Sequence, residues 1–161
     1  MIPTTSRAPG PSRGPAVGQP VVELLDVTKR YDGVTALDHV SIGARQGEVL
    51  AILGPNGAGK TTAVSIMLGL AKPTSGEART FGGDPRRARS RMRIGVMLQV
   101  SGVPATLTVR EHLTAFASYY PAPLAVGEAV RLAGLQDVAD RAYGKLSGGE
   151  KQRLHFALAM I

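Results

Sequence analysis

The sequence predicts an α/β fold in which a strand-rich opening leads into a strand–loop–helix unit and then into helices. Three observations predict it. β-branched runs separated by turn signals fill residues 21–53, a glycine-rich loop follows an apolar run at 54–62, and apolar residues recur at helical spacing from Thr108 onward.

Residues 1–20 hold five prolines and three glycines with almost nothing to bury, so they are expected to form a disordered tail. Residues 21–31, 40–42 and 48–53 then read as short strands, punctuated by Asp32-Gly33 and Gln46-Gly47. Ala63, Val64, Met67 and Leu68 give a helix over 60–70 that the Lys72-Pro73 step ends. Residues 75–85 resemble a hairpin turning at Gly82-Gly83, and 93–98 form a short apolar strand that delivers Gln99 to its end.

A helix opens at Thr108, where Glu111 stands three residues on, so that each side chain can satisfy the other's free backbone amide. Val109, Leu113, Phe116 and Tyr120 make its apolar stripe. A second helix covers 126–133 and stops at Gly134; a third starts after Ser147 and runs through Leu154, Ala157, Leu158 and Ile161. That last helix shows no glycine cap and no basic last turn, and its stripe continues to the final residue, so the chain reads as cut rather than finished.

At 161 residues and 43% hydrophobic, the chain has material for one domain with a core. It holds no cysteine, which excludes disulfides, thiolate metal sites and a cysteine nucleophile and leaves oxygen ligands for any metal. Its longest apolar runs, 49–53 and 156–161, fall far short of the roughly 18 to 20 residues a membrane span needs. The start carries no signal-peptide pattern, which suggests a cytoplasmic location. The formal charge of +7 includes Arg86, Arg87, Arg89, Arg91 and Arg93, but aromatic residues make up only 4% and none interleaves with them. A solvated basic face is the favoured reading of that run, and no nucleic-acid partner is expected.

The run Gly54-Pro55-Asn56-Gly57-Ala58-Gly59-Lys60-Thr61, followed by Thr62, fits G-x-x-x-x-G-K-[ST] between an apolar strand and a helix. Glycines let the backbone curl with its amides inward, and the helix start adds roughly half a positive charge, so a polyphosphate is held mainly by backbone. Lys60 would reach the β and γ phosphates, and the Thr61 hydroxyl would take one magnesium position.

Leu146-Ser147-Gly148-Gly149-Glu150 opens the last helix with Ser147 and Glu150 at capping-box spacing and is followed by Lys151-Gln152-Arg153. Alone, it reads as an ordinary helix cap. With the phosphate loop before it and Gln99 between, residues 21–161 resemble the ATP-binding-cassette family, whose signature LSGGQ here reads LSGGE. The resemblance implies a P-loop NTPase fold with an N-terminal antiparallel β subdomain and a helical signature subdomain over about 100–150. It implies ATP and Mg2+ as ligands, with Tyr31 stacking on adenine and Gln99 touching magnesium and the attacking water, so that Lys60 and Gln99 carry the catalytic roles. Ser147, Gly148 and Gly149 then cap the γ-phosphate held by a second, head-to-tail nucleotide-binding subunit, and Glu150, where the family has glutamine, completes the signature at a position that mostly orients it, so that little is expected from the change.

The same resemblance places the family's Asp-Glu pair and switch histidine after the signature helix. His39, His112 and His155 all precede that region and read as surface or helix histidines. The chain by itself is therefore expected to bind nucleotide poorly and not to turn it over. The spacing from Gln99 through Leu107-Thr108-Val109-Arg110-Glu111 to the signature resembles the subgroup driving ABC-2 type drug, antibiotic or polysaccharide exporters. That implies a separate membrane permease and a peripheral place on the inner face of the cell membrane. The alternative is a soluble cassette acting on ribosomes or DNA; a single phosphate loop and a brief helical insert favour the transporter motor.

Overall fold

Residues 20–97 and 102–161 are described by the computed structural model. The tail call falls outside them except for Pro20, which opens the first strand, and so do Leu98 and Gln99. Two units divide at Arg91/Met92.

The first unit is built on a three-stranded antiparallel sheet in the order β2-β1-β3, with β1 Pro20–Tyr31, β2 Val34–Arg45 and β3 Ser75–Thr80. Asp32 and Gly33 make the β1–β2 turn with φ of 43° and 86°, the left-handed pair that a two-residue hairpin requires. That turn sets Tyr31 opposite Val34. From there β2 runs well beyond the 40–42 segment predicted for it.

Helix α1 spans Lys60–Met67 and lays Ala63, Ile66 and Met67 on Leu24, Val27 and Leu37 of the sheet. It ends before the predicted residue 70. Gly69, at φ 72°, lets its amide reach the Ile66 carbonyl at 3.0 Å and the Leu70 amide reach Ser65 at 2.8 Å, the pattern that closes a helix on a left-handed residue. The buried Thr80 hydroxyl donates to the Met67 carbonyl at 2.9 Å and satisfies another free acceptor there.

Three predicted elements are corrected. Residues 48–53 form no strand; Val49 and Leu53 are 97% and 89% exposed. Residues 94–97 are likewise irregular. A strand exists only through the hydrogen bonds of a neighbour, and no described segment pairs with either run. The predicted 75–85 hairpin supplies only β3, which pairs with β1, and the turn after it is centred on Phe81-Gly82 rather than Gly82-Gly83. Its closing bonds run both ways between Thr80 and Gly83, at 2.8 and 3.0 Å. Within the arginine-rich run, helix α2 covers Ala88–Arg91 and buries only Ser90, while Arg86 pairs with Asp84 at 2.7 Å.

The second unit packs α3 Val109–Ala117, α4 Val126–Leu132 and α5 Gly148–Met160 around Leu113, Val130, Leu135 and Leu154. The Thr108 capping box forms as the spacing predicts: the Thr108 amide donates to Glu111 Oε2 at 2.8 Å, and the Glu111 amide donates to Thr108 Oγ1 at 3.2 Å. Its stripe is narrower than predicted, because His112 turns inward beside Val109 and Leu113 while Phe116 stays exposed and Tyr120 is half-buried. Phe116 shares the helical face of Val109, His112 and Leu113, and it is 36% exposed one turn beyond them. In α5, Leu154 and Ala157 are fully buried, with Leu158 and Ile161 partly covered beside them. No helix among the described residues is long and apolar enough to cross a membrane.

One irregularity of the sheet is chemical as well as geometric. Asp26 on β1 and His39 on β2 both have positive φ, 51° and 48°, and His39 Nδ1 lies 2.8 Å from Asp26 Oδ1. The Asp26 amide donates to Ser41 Oγ, and the His39 amide donates to Thr28 Oγ1. The hydrogen bond to Asp26 and its negative charge raise the His39 pKa above 6.5, though the pair is exposed. A raised folded pKa means that the pair's contribution is fully present below about pH 6.5 and is lost as pH rises through the folded value. Asp26→Asn, which tolerates the same backbone, is expected to return the His39 NMR titration toward 6.5 and to flatten the stability–pH curve over that window. An unchanged His39 titration would show that Asp26 does not set it.

Candidate functional site

The glycine-rich loop follows residues 48–53, which are exposed except for the half-buried Ile52, and ends where α1 begins. Gly54, Gly57 and Gly59 have φ of 153°, 83° and 79°, conformations that L side chains rarely adopt. At Gly59 a Cβ would stand 2.3 Å from the Ala36 carbonyl oxygen and 2.7 Å from Leu37 Cδ2. Only glycine lets the helix start lie this close to β2, a few residues beyond the turn that follows Tyr31.

No side chain caps α1 at Gly59, and its first turn holds no acidic residue. The dipole and the free amides at this end therefore meet no compensating group from the helix itself. Lys60 Nζ folds back over the loop and donates to the carbonyls of Gly54 and Pro55, at 2.7 and 2.6 Å. Its ammonium is thus held over the curl by two neutral acceptors, an arrangement that an anion entering the curl could replace. Pro55, Asn56 and Ala58 are exposed along the loop, Thr61 is exposed on the first turn of α1, and Thr62 is half-buried. Among the described residues no group of three His, Asp or Glu side chains could hold a metal ion by itself. The Thr61 hydroxyl suits magnesium as one oxygen donor beside phosphate oxygens.

Tyr31 is 46% exposed at the end of β1, and Lys29 Nζ stands 4.5 Å from its ring centroid. Residues two apart on a strand share a face, so this cation–aromatic pair was legible in the sequence but was missed. Gln99, the other residue singled out for magnesium and water, lies outside the described residues.

In the second unit Ser147 caps α5. The Ser147 amide donates to Glu150 Oε2 at 2.6 Å, and the Glu150 amide donates to Ser147 Oγ at 3.3 Å. Hydrogen bonds from the Ser147 amide and hydroxyl, then the charges of Arg141 and Arg153, lower the Glu150 pKa. Gly148 and Gly149 are exposed with ordinary φ, and a Cβ on either would meet nothing within 4 Å. Among the described residues, no contact requires glycine at those two places.

Behind the signature, Tyr143 sits between two histidines, with ring centroids 5.8 Å from His112 and 5.9 Å from His155. His112 Nδ1 meets the Thr108 carbonyl at 2.8 Å, while its Nε2 is buried with no hydrogen-bond partner. Burial, followed by the charge of His112, lowers the His155 pKa. Sequence reasoning read these histidines as unremarkable, and their convergence on Tyr143 has no local sequence signal. The same holds for Arg141, whose Nη1 reaches Glu150 Oε1 at 3.4 Å.

The family profile described as ABC transporter matches residues 37–161. The bacitracin transport ATP-binding protein BcrA of Bacillus licheniformis is 38% identical over 145 residues, covering 88% of this chain and 47% of that protein. Nod factor export ATP-binding protein I of Burkholderia thailandensis is 40% identical over 149 residues, covering 87% and 48%. The chain therefore spans about half the length of these curated relatives. A dimeric bacterial ABC transporter cassette superposes with a TM-score of 0.70 at 28% identity, covering 86% of this chain and 68% of that one. The ATP-binding subunit of another ABC transporter gives a TM-score of 0.74 at 24% identity over 86% and 60%, a likeness of fold.

The glycines divide into two kinds that stability measurements separate. Gly59→Ala is expected to destabilise the first unit by more than about 1 kcal/mol, because it combines a positive φ with a backbone clash. Gly149→Ala is expected to stabilise α5 by up to about 1 kcal/mol, since it adds helix propensity in open space. Denaturant unfolding of the two variants checks both signs; a destabilising Gly149→Ala would mean that a local requirement for glycine exists there.

Proposed function

The chain belongs to the ABC transporter family, with the fold of its P-loop ATP-binding cassettes, and from that premise we propose that it is the ATP-binding subunit of an exporter. It couples ATP binding and hydrolysis to movement of a substrate through a separate integral-membrane permease, on whose cytoplasmic side it sits peripherally. The relatives concerned with bacitracin transport and Nod factor export support the export reading.

The observation that carries the nucleotide reading is the state of the glycine loop. Its ammonium is held over the curl by two carbonyls, and the helix beneath it is uncapped and free of acids. Backbone amides of the loop and of the α1 start take the β and γ phosphates of ATP, the Ala58 amide giving up the Pro55 carbonyl it meets at 3.3 Å, and Lys60 exchanges the Gly54 and Pro55 carbonyls for phosphate oxygens. Neutralising the transferred phosphoryl group costs little reorganisation, because the amides are already oriented by the glycine backbone. Thr61 and Gln99 would hold Mg2+, which would supply Lewis-acid charge stabilisation of the phosphates. Tyr31 offers adenine the ring face that Lys29 leaves open.

Ser147, Gly148 and Gly149 serve a second subunit. They are the exposed start of α5, and a Cβ on either glycine would meet open space among the described residues. A γ-phosphate brought up by the loop of a facing subunit fits that opening. The dimeric cassette among the similar structures supports such an assembly.

Two measurements test this reading. Lys60→Ala is expected to abolish binding of a fluorescent ATP analogue and ATP hydrolysis by the transporter complex; activity within twofold of the parent would overturn the loop assignment. Tyr31→Ala is expected to weaken ATP binding about tenfold while Tyr31→Phe leaves it intact, since stacking uses the ring and is worth about 1–3 kcal/mol per base in nucleic-acid sites. Equal damage from both substitutions would assign Tyr31 to hydrogen bonding instead.

A further inference from the structure

The signature of this chain carries a carboxylate beside the place proposed for a γ-phosphate. Glu150 stands in the first turn of α5, and its side chain is 17% exposed. One carboxylate oxygen caps the Ser147 amide at 2.6 Å, and the other faces Arg141 Nη1 at 3.4 Å. A carboxylate at a helix start satisfies the dipole, but it also repels an anion arriving at the same amides.

Arg141 is fastened where it can answer that repulsion. Its amide donates to the Val138 carbonyl at 3.0 Å, and its own carbonyl accepts from the Val109 amide at 3.2 Å. The neighbouring strand-like contacts, Arg110 amide to Ala139 at 2.9 Å and Tyr143 amide to Leu107 at 2.8 Å, hold the segment on both sides of it. Asp140 is engaged by Arg110 at 2.9 Å, so that acid is already paired beside Arg141. The other cation whose field reaches Glu150 is Arg153, on α5 itself. Both lower the cost of keeping Glu150 ionised, and Arg141 alone adds a direct contact from outside the helix.

We propose that Arg141 is the charge-compensating residue of the signature: its guanidinium cancels the Glu150 carboxylate, so that a helix start bearing an acid still receives the γ-phosphate of a facing subunit. The inference rests on the reading of Ser147, Gly148 and Gly149 as the trans phosphate site. Its physical content is a charge sum. With Arg141 and Glu150 both present the pair is neutral; removing the arginine leaves an added negative charge at the phosphate, and removing both charges restores neutrality. Because the γ-phosphate is present in the bound and the reacting states alike, the effect falls on KM for ATP rather than on kcat.

The test is ATP hydrolysis by the transporter complex with four variants at low and high salt. Arg141→Gln, which keeps the stem, is expected to raise KM for ATP about fivefold with kcat within twofold, and the increase is expected to shrink at high ionic strength. Arg141→Gln with Glu150→Gln is expected to return KM to within about twofold of the parent, and Arg141→Lys to stay near it. Gly149→Asp, which adds a charge and bulk on the same face, tests the underlying reading. If Gly149→Asp impairs hydrolysis but Arg141→Gln changes nothing, the proposal alone is overturned. It is also overturned if the double variant remains as impaired as Arg141→Gln, since Arg141 then acts only by holding its segment. If Gly149→Asp itself leaves KM and kcat unchanged, the signature reading fails and the proposal falls with it.

Discussion

The free amides at the start of a helix are the constraint around which this chain is arranged. Every helix begins with donors that have no partner within it, and the fold treats three helix starts in two ways. At α3 and α5 a hydroxyl and a glutamate close a capping box that satisfies the N-cap amide and the amide three residues on. At α1 no side chain does so, no acid stands in the first turn, and the preceding loop is curled by left-handed glycines. That difference leaves the α1 start open to the anion proposed for it and the α3 start closed by its own side chains. Lys60, resting on two loop carbonyls, keeps a positive charge at the opening without an acid to quench it.

The α5 start is an intermediate case. Its capping box is complete, yet two glycines stand there with open space around them, at a cost in helix propensity that no contact among the described residues recovers. Glycine forced by geometry, as at Gly59, and glycine unexplained by geometry, as at Gly149, are different kinds of evidence. The first says how the loop is built; the second points to something outside the chain that approaches the backbone. The acid at position 150 and the guanidinium of Arg141 belong to the same balance, between satisfying the chain's own helix and leaving it attractive to a phosphate.

Much of the site was legible because its information is local. The glycine-rich spacing with Lys60 and Thr61, and the pairs Thr108/Glu111 and Ser147/Glu150, are set by backbone geometry over three to eight residues, and the capping pairs formed as the spacing requires. The extent of β2, the C-terminal end of α1 and the turn at Phe81-Gly82 were less legible, since each depends on hydrogen bonds whose partners no short window specifies. Residues 48–53 show the limit most clearly. Their apolar composition marks a segment suited to covering, but a strand is a relation between segments, and Val49 and Leu53 stand exposed among the described residues.

The sequence by itself determined where a polyphosphate could be gripped, which helix starts are capped, that cysteine chemistry is excluded, and which family the chain resembles. These follow from residue identity and short spacing, which survive any arrangement of the rest. Only the tertiary structure decided that Gly59 lies against Ala36, that Asp26 and His39 meet across two strands, that His112 and His155 converge on Tyr143, and that Arg141 faces Glu150. Each of those joins side chains through turns, bulges or a neighbouring element whose course no short window specifies, so the pairing is fixed by packing and backbone hydrogen bonds rather than by sequence separation.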